Sequence, residues 1–242
     1  MGFISTVRFI IDHPLSRGRK LSNLSRFARC QIGSRLSRRP LAVQFANSAQ
    51  MFASRGMTGA TGNIYVGLHE FVDMSFVLHF LRPNDLFVDI GANIGSYTIL
   101  ASAAVGANCI SFEPDPEAWQ WLCENIKLNH VVSLVEAHQQ AVGSEIGVLN
   151  LSRDEGPTNH IIPKTEVTSQ NRQSRSVEAT RLDQALGSRH PIMLKIDVEG
   201  FETKVISGAC RVLENLICAA YSWNSRATDK DTALTIMLCV SA

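Results

Sequence analysis

Two apolar runs that each stop on an acid, with a glycine-bearing turn between them, constrain this chain more than any other feature. The stretch is LFVDIGANIGSYTILASAAVGANCISFEPDPEAW, from Leu86 to Trp119. LFVDI reads as a strand, SYTILASAAVG as a helix stopped by Gly106, and NCISFE as a second strand. PDPEAWQWLCENIKLN follows as a helix, with Pro116 near its start and Trp119, Leu122 and Ile126 on one face. VVSLVEA reads as a third strand. Strands separated by single helices imply βαβ units, a parallel sheet and right-handed crossovers. The expected fold class is α/β, an open and mostly parallel sheet wound on both faces.

The pattern resumes after a polar interruption over 144–175, in which GVLNLS reads as a β-excursion. TRLDQAL reads as a helix capped by Thr180, PIMLKIDVEG as a strand and FETKVISGACRVLENL as a helix. Upstream, HEFVDMSFVLHFL carries a helical stripe through Phe71, Met74, Leu78 and Leu81, stopped by Pro83. Three units are expected: a basic helical extension over 1–40, a connecting, substrate-side segment over 41–82, and a cofactor-binding domain over 83–242.

In open α/β sheets, ligands sit beyond the carboxyl ends of the strands. Asp89 lies near such an end, and Gly91 to Gly95 make the turn into the next helix. Glycines there remove Cβ atoms and let the backbone approach a ligand. Glu113 closes the next strand, at the distance where the dinucleotide fold puts a ribose-binding acid. A carboxylate can accept hydrogen bonds from both vicinal hydroxyls of a ribose. The spacing therefore implies a nucleoside half-site. A dinucleotide fingerprint would read G-x-G-x-x-G, whereas this chain has G-A-N-I-G with Asn93 between the glycines and no third glycine.

FVDIGANIGSYT, FEPDPEAW, QQAVGSEIG and LKIDVEGFETKVISGA, in that order, resemble the successive motifs of the FkbM family of methyltransferases. The resemblance runs roughly from Thr61 to Leu213. It implies a Rossmann-like, class I methyltransferase fold, S-adenosylmethionine as donor, and O-methylation of hydroxyls on sugars or polyketides. Carried over by position, Asp89, Gly91, Asn93 and Gly95 would hold the methionine portion, Glu113 the ribose, and Ala141 and Val142 would lie near the adenine. TGNIYVGLHEFVDMSF is similar to the rhizobial branch that 2-O-methylates fucose on lipochitooligosaccharide nodulation signals.

A sugar hydroxyl is a poor nucleophile, so a positioned base should assist it. Lys195, Asp197 and Glu199 alternate in LKIDVEGFE, which would set them on one face of a strand ending at the crevice. Asp197 is the first candidate base, Glu199 the next, and Lys195 would tune either by its charge. Two such carboxylates could hold Mg²⁺, but no second acidic cluster supports a cage, so no metal is expected. His160, in the polar excursion, and His69, before the domain, are alternative bases.

Competing readings are a nicotinamide-dependent oxidoreductase, against which the glycine spacing argues, and a non-catalytic methyltransferase-like binding protein. The second arises because little sequence follows ENL. LICAAY and ALTIMLCV can each make a strand, but a further reversed hairpin has no residues, so the C-terminal strands are expected to be incomplete or altered near Tyr221.

Residues 1–40 hold nine Lys/Arg against Asp12, while the whole chain carries a net +1. Leu21, Leu24, Ala28, Ile32 and Leu36 recur there at helical spacing, which fits either a packed helix with a solvated basic face or peripheral contact with an anionic membrane. The acidic remainder argues against a nucleic-acid partner. A hydroxyl-bearing sugar or glycoconjugate is the expected substrate. Six scattered cysteines without a C-x-x-C pair fit a cytoplasmic protein.

Overall fold

A computed structural model of the chain describes residues 3–36, 40–53, 62–63, 65–152, 161–162, 174–214, 216, 218–223 and 234–239. Its centre is a sheet of β3 (Leu86–Ile90), β4 (Asn108–Phe112), β5 (Val135–His138), β10 (Met193–Ile196), β11 (Cys218–Trp223) and β12 (Leu234–Cys239). The order across it is β11-β12-β10-β3-β4-β5. Strands β10, β3, β4 and β5 run parallel, in the register Leu194↔Val88↔Ile110↔Glu136. The sheet and its parallel crossovers are those expected from the sequence.

One face of the sheet presents Phe87, Cys109 and Met193 to a core shared with α3 (Phe71–Phe80), α4 (Ser96–Ile99) and α5 (Pro116–Leu128). Helix α4 runs on as a wider π turn over Leu100–Val105 and stops at Gly106, whose φ is 88°. On the other face, Val88, Ile90, Ile110, Phe112, Leu194 and Ile196 pack with α6 (Leu182–Leu186), α7 (Glu202–Ser207) and α8 (Cys210–Leu213). Alternate residues of each strand thus serve opposite layers, the period-2 pattern of a strand buried on both sides.

The helix expected after Phe201 is broken into α7 and α8. Gly208 ends α7 where a Cβ would stand 1.9 Å from the Gly143 carbonyl oxygen, so this backbone contact needs glycine. Helix α6 is not capped by Thr180, which belongs to β9 (Ser174–Thr180); its cap is the extended Arg181. Between β5 and α6 the described residues hold more strand than the polar sequence suggests. There β6 (Ala141–Val142), β7 (Gly147–Ser152), β8 (Ile161–Ile162) and β9 form a second sheet in the order β6-β9-β7-β8 around Ala141, Leu151, Val177 and Ala179.

At the C-terminus the two strands read from the sequence are both present: β12 lies between β10 and β11, antiparallel to both, and among the described strands of this sheet it alone is reversed. Apolar matching across the β10 edge accounts for it: Leu194 faces Leu238 and Ile196 faces Ile236, with Ile236, Met237 and Cys239 buried.

The N-terminal helices α1 (Phe3–Asp12) and α2 (Lys20–Leu36) pack on the domain, with Ile10, Phe27 and Cys30 in the same core cluster as Phe87 and Leu122. The buried face of α2 is Asn23, Phe27 and Cys30 rather than the stripe read from the sequence, since Leu21 is 85% and Ile32 57% exposed. A hairpin of β1 (Leu41–Gln44) and β2 (Gln50–Ala53) docks on α5 through two asparagines. Asn125 Oδ1 accepts from Phe52 N at 2.8 Å, and Asn129 brackets both Gln50 N and Gln50 O at 2.8 Å. No helix among the described residues is long and apolar enough to cross a membrane.

Candidate active site

The chain leaves β3 through a turn with three left-handed residues in five positions: Gly91 (φ 76°), Asn93 (φ 52°) and Gly95 (φ 93°). Asparagine is among the few side chains that tolerate this region. Gly91 N and Ala92 N both donate to the Phe112 carbonyl at 3.0 Å, which ties the turn to the end of β4. A Cβ on Gly91 would stand 1.9 Å from Asp197 O, and one on Gly95 2.6 Å from Leu122 Cδ1. The glycines thus serve the close approach of neighbouring elements as well as the turn.

Glu113 leaves the end of β4 with its carboxylate held by two backbone amides. Asn93 N donates to Oε2 at 2.7 Å and Asp115 N to Oε1 at 2.9 Å. Burial raises its pKa to about 7, the two amide bonds offsetting only part of that effect. Asp115 caps α5 by accepting from Glu117 N and Ala118 N. Beside this strand end lies a cleft of about 540 Å³, lined by Pro114, Pro116, Ala137, His138, Gln139 and Gln140 and bounded by β9. Ala141 and Val142 follow directly as β6, 4% and 2% exposed, so their side chains are core and their strand borders the cleft-lining loop.

On the opposite side of the turn a polar row crosses the core. Lys195, Asp89 and Ser111 are in register on β10, β3 and β4 and are 2%, 0% and 0% exposed. Asp89 Oδ2 accepts from Thr98 Oγ1 at 2.7 Å, and Thr98 is 2.8 Å from Ser111 Oγ. The Lys195 ammonium is 3.5 Å from Asp89 Oδ1, 3.5 Å from the Gly91 carbonyl oxygen and 3.3 Å from Asp197 Oδ2. It also sits 4.8 Å above the Tyr97 ring. Burial pushes Lys195 down, but Asp197, Asp89 and Glu70 more than offset it and hold its pKa above the ordinary lysine value. Lys195 is therefore a fixed cation.

Tyr97 donates its hydroxyl to Glu70 Oε2 at 2.6 Å. Burial raises the pKa of Glu70, partly relieved by that hydrogen bond and by Lys195. Burial, then the neighbouring Glu70, lifts the Tyr97 phenol well above its usual range.

The structure therefore gathers Asp89, Gly91, Asn93, Gly95, Glu113, Lys195 and Asp197 around one turn. Asp89 is engaged by Thr98 and Lys195, so it organises the turn from beneath. The alternation expected for Lys195, Asp197 and Glu199 does not hold: β10 ends at Ile196, and Glu199 lies in the following bend with φ 50°. His160 lies outside the described residues. His69 packs its ring 4.9 Å from that of Phe9 and donates its backbone N–H to Asn63 Oδ1. Sequence reasoning missed Glu70, Tyr97, Thr98 and Ser111. Two polar residues just after the glycine turn were the available signal for Tyr97 and Thr98.

The cradle suits a nucleoside carrying positive charge. Glu113 offers acceptors at one end of the turn, and at the other Asp89 and Asp197 contact the Lys195 ammonium, on which the Glu70 carboxylate also acts. A model of the Methyltransferase FkbM domain matches residues 89–233. Methyltransferase 1 of Beauveria bassiana (strain ARSEF 2860) is 31% identical over 148 residues, 52% of this chain and 59% of that protein. Methyltransferase sdnD of Sordaria araneosa is 28% identical over 169 residues, 57% of this chain and 65% of that protein. The matched stretch thus covers less than two-thirds of either relative. Among solved structures, P. horikoshii TYW2 in complex with MeSAdo aligns over 95% of this chain and 86% of its own, at 11% identity and a TM-score of 0.42. An RNA methyltransferase from Salinibacter ruber in complex with S-adenosyl-L-homocysteine is 26% identical over 29% of this chain and 47% of its own, with a TM-score of 0.27. At these TM-scores the superpositions decide nothing about the acceptor. The match over residues 89–233 does decide the family: the chain belongs to the FkbM methyltransferases, and its methyl donor is S-adenosylmethionine.

Proposed function

We propose that the chain transfers the methyl group to a hydroxyl of a sugar or glycoconjugate, with Asp197 as the base that takes the hydroxyl proton. The carrying observation is that Asp197 combines a fixed partner with access. Its side chain is 30% exposed at the carboxyl end of β10, while Lys195, 3% exposed, grips it at 3.3 Å. When bound, S-adenosylmethionine supplies a methyl carbon made electrophilic by a sulfonium. The chain has to hold the acceptor oxygen in line with that carbon, and alignment alone accounts for much of such a rate enhancement.

Under this reading Glu113 accepts from the ribose hydroxyls, the turn from Gly91 to Gly95 underlies the methionine portion, and Asp89 with Thr98 keeps the turn in place. Ala141 and Val142 border the adenine end, next to the cleft at Pro114 and Gln140. Glu199 and His160 are second-choice bases. The resemblance of TGNIYVGLHEFVDMSF to the fucose-modifying branch supports a deoxysugar as the first acceptor to try.

The test is methyl transfer from labelled S-adenosylmethionine to a panel of fucosides, other sugars, glycolipids and short RNAs, read by mass. Label on a sugar hydroxyl, lost in Asp197→Asn, supports the proposal. Label on RNA with none on any sugar overturns the acceptor class.

A further inference from the structure

We infer that Glu70, which precedes the stretch matched to the family domain, is the counter-charge for the α-ammonium of the bound donor. The inference rests on the donor lying on the turn from Gly91 to Gly95.

Asp89 is the first acid beside that turn, but it is fully buried and its oxygens are taken by Thr98 and Lys195. Asp197 is paired with Lys195. Glu70 reaches the same place from a different part of the chain. Its carboxylate meets the first turn of α4 through Tyr97 at 2.6 Å, and the residues before it are fastened to the same turn by Asn63 Nδ2, which donates to Ser96 Oγ at 3.0 Å. Asn63 and Glu70 thus both reach the start of the helix that follows the glycine turn. A rigid phenol aims the carboxylate, since Tyr97 is only 4% exposed.

Electrostatics argue in the same direction. Among the described residues, the carboxylates of Asp89, Asp197 and Glu70 all act on the Lys195 ammonium, three acids to one cation. Burial still outweighs the help Glu70 receives from Tyr97 and Lys195, leaving its ionised form under-compensated. A ligand ammonium would supply the missing partner, and hydrogen bonds to charged groups are the stronger kind.

The experiment compares two ligands that differ at this end. S-adenosylhomocysteine carries the ammonium without a sulfonium; 5′-methylthioadenosine has the nucleoside and no amino-acid group. Calorimetry on wild type, Glu70→Gln and Glu113→Gln reads both. Glu70→Gln keeps the shape and can still accept from Tyr97, and is expected to weaken S-adenosylhomocysteine about tenfold to a hundredfold while leaving methylthioadenosine within about twofold. Glu113→Gln is expected to weaken both. Unchanged S-adenosylhomocysteine binding in Glu70→Gln, or equal loss of both ligands, overturns the inference. Unchanged binding of both in Glu113→Gln overturns the nucleoside placement instead. Tyr97→Phe, which keeps the charge, is expected to lose less affinity for S-adenosylhomocysteine than Glu70→Gln; an equal or greater loss would assign the effect to local structure.

Discussion

Lys195 and Asp89 face one another in register on adjacent parallel strands, both buried, with the ammonium 3.5 Å from Asp89 Oδ1. A charge pair at the centre of a sheet stabilises little by itself, but removing one partner strands the other in a medium that cannot solvate it. Asp89 also anchors Thr98, so the pair links the core to the helix that begins at the glycine turn.

Lys195→Met should therefore destabilise the fold by about 3–5 kcal/mol, because it leaves Asp89 and Asp197 without their cation. Chemical denaturation measures this. Adding Asp89→Asn should recover part of the loss, since the stranded charge is then gone. A single variant as stable as wild type would contradict the geometry.

Gly91→Ala is expected to be nearly as severe, for a steric reason. Its φ is 76° and the added Cβ would meet Asp197 O at 1.9 Å. A loss of about 3 kcal/mol or more is expected from the strain and displaced backbone, lowering Tm by roughly 6–12 °C in a chain of this size. An unshifted Tm would mean that the strand ends are further apart than described.

Much of this was legible in the sequence, and the failures have physical causes. The short apolar runs at 86–90 and 108–112 and the glycine turn between them located β3, β4 and Glu113 at the end of β4, because strands buried on both faces and left-handed turns leave local signatures. The polar row did not show, since Lys195, Asp89 and Ser111 become neighbours only through register between strands far apart in the chain. Glu70 was invisible for a similar reason: its partner Tyr97 is 27 residues away and no spacing rule joins them. The second sheet was underestimated because β9 alternates small and charged residues, whose burial depends on β6 and β7. The face of α2 was misread because Asn23, bonded to Ser16 Oγ at 2.8 Å, is buried in place of Leu21.

The raised pKa of Glu113 makes a pH prediction. Its folded value of about 7 lies above the ordinary 4.5, so the folded chain keeps a proton that the unfolded chain releases. The stability it contributes is full below pH 4.5 and is lost as pH rises through 7. Glu113→Gln should remove that slope, flattening the stability profile of the free protein by a few kcal/mol over this window. Since ribose hydroxyls donate best to the ionised form, wild-type affinity for S-adenosylhomocysteine should rise across pH 6–8. A flat affinity profile would count against Glu113 as the ribose acceptor.

Asp197→Asn separates chemistry from binding. It removes a base while keeping the shape of the strand end, so kcat should fall about 10²–10⁴-fold with S-adenosylhomocysteine affinity within about threefold of wild type. Single-turnover methyl transfer and calorimetry on the same preparation measure both. Unchanged turnover would move the base to Glu199 or His160.

The most direct test of the central claim is calorimetric titration of the folded wild-type chain and of Glu113→Ala with S-adenosylmethionine, with NAD as control. The account predicts one site for S-adenosylmethionine, none for NAD, and at least about tenfold weaker binding when the Glu113 carboxylate is removed. A folded wild-type chain that binds NAD instead, or a Glu113→Ala variant that binds S-adenosylmethionine as tightly as wild type, would contradict it.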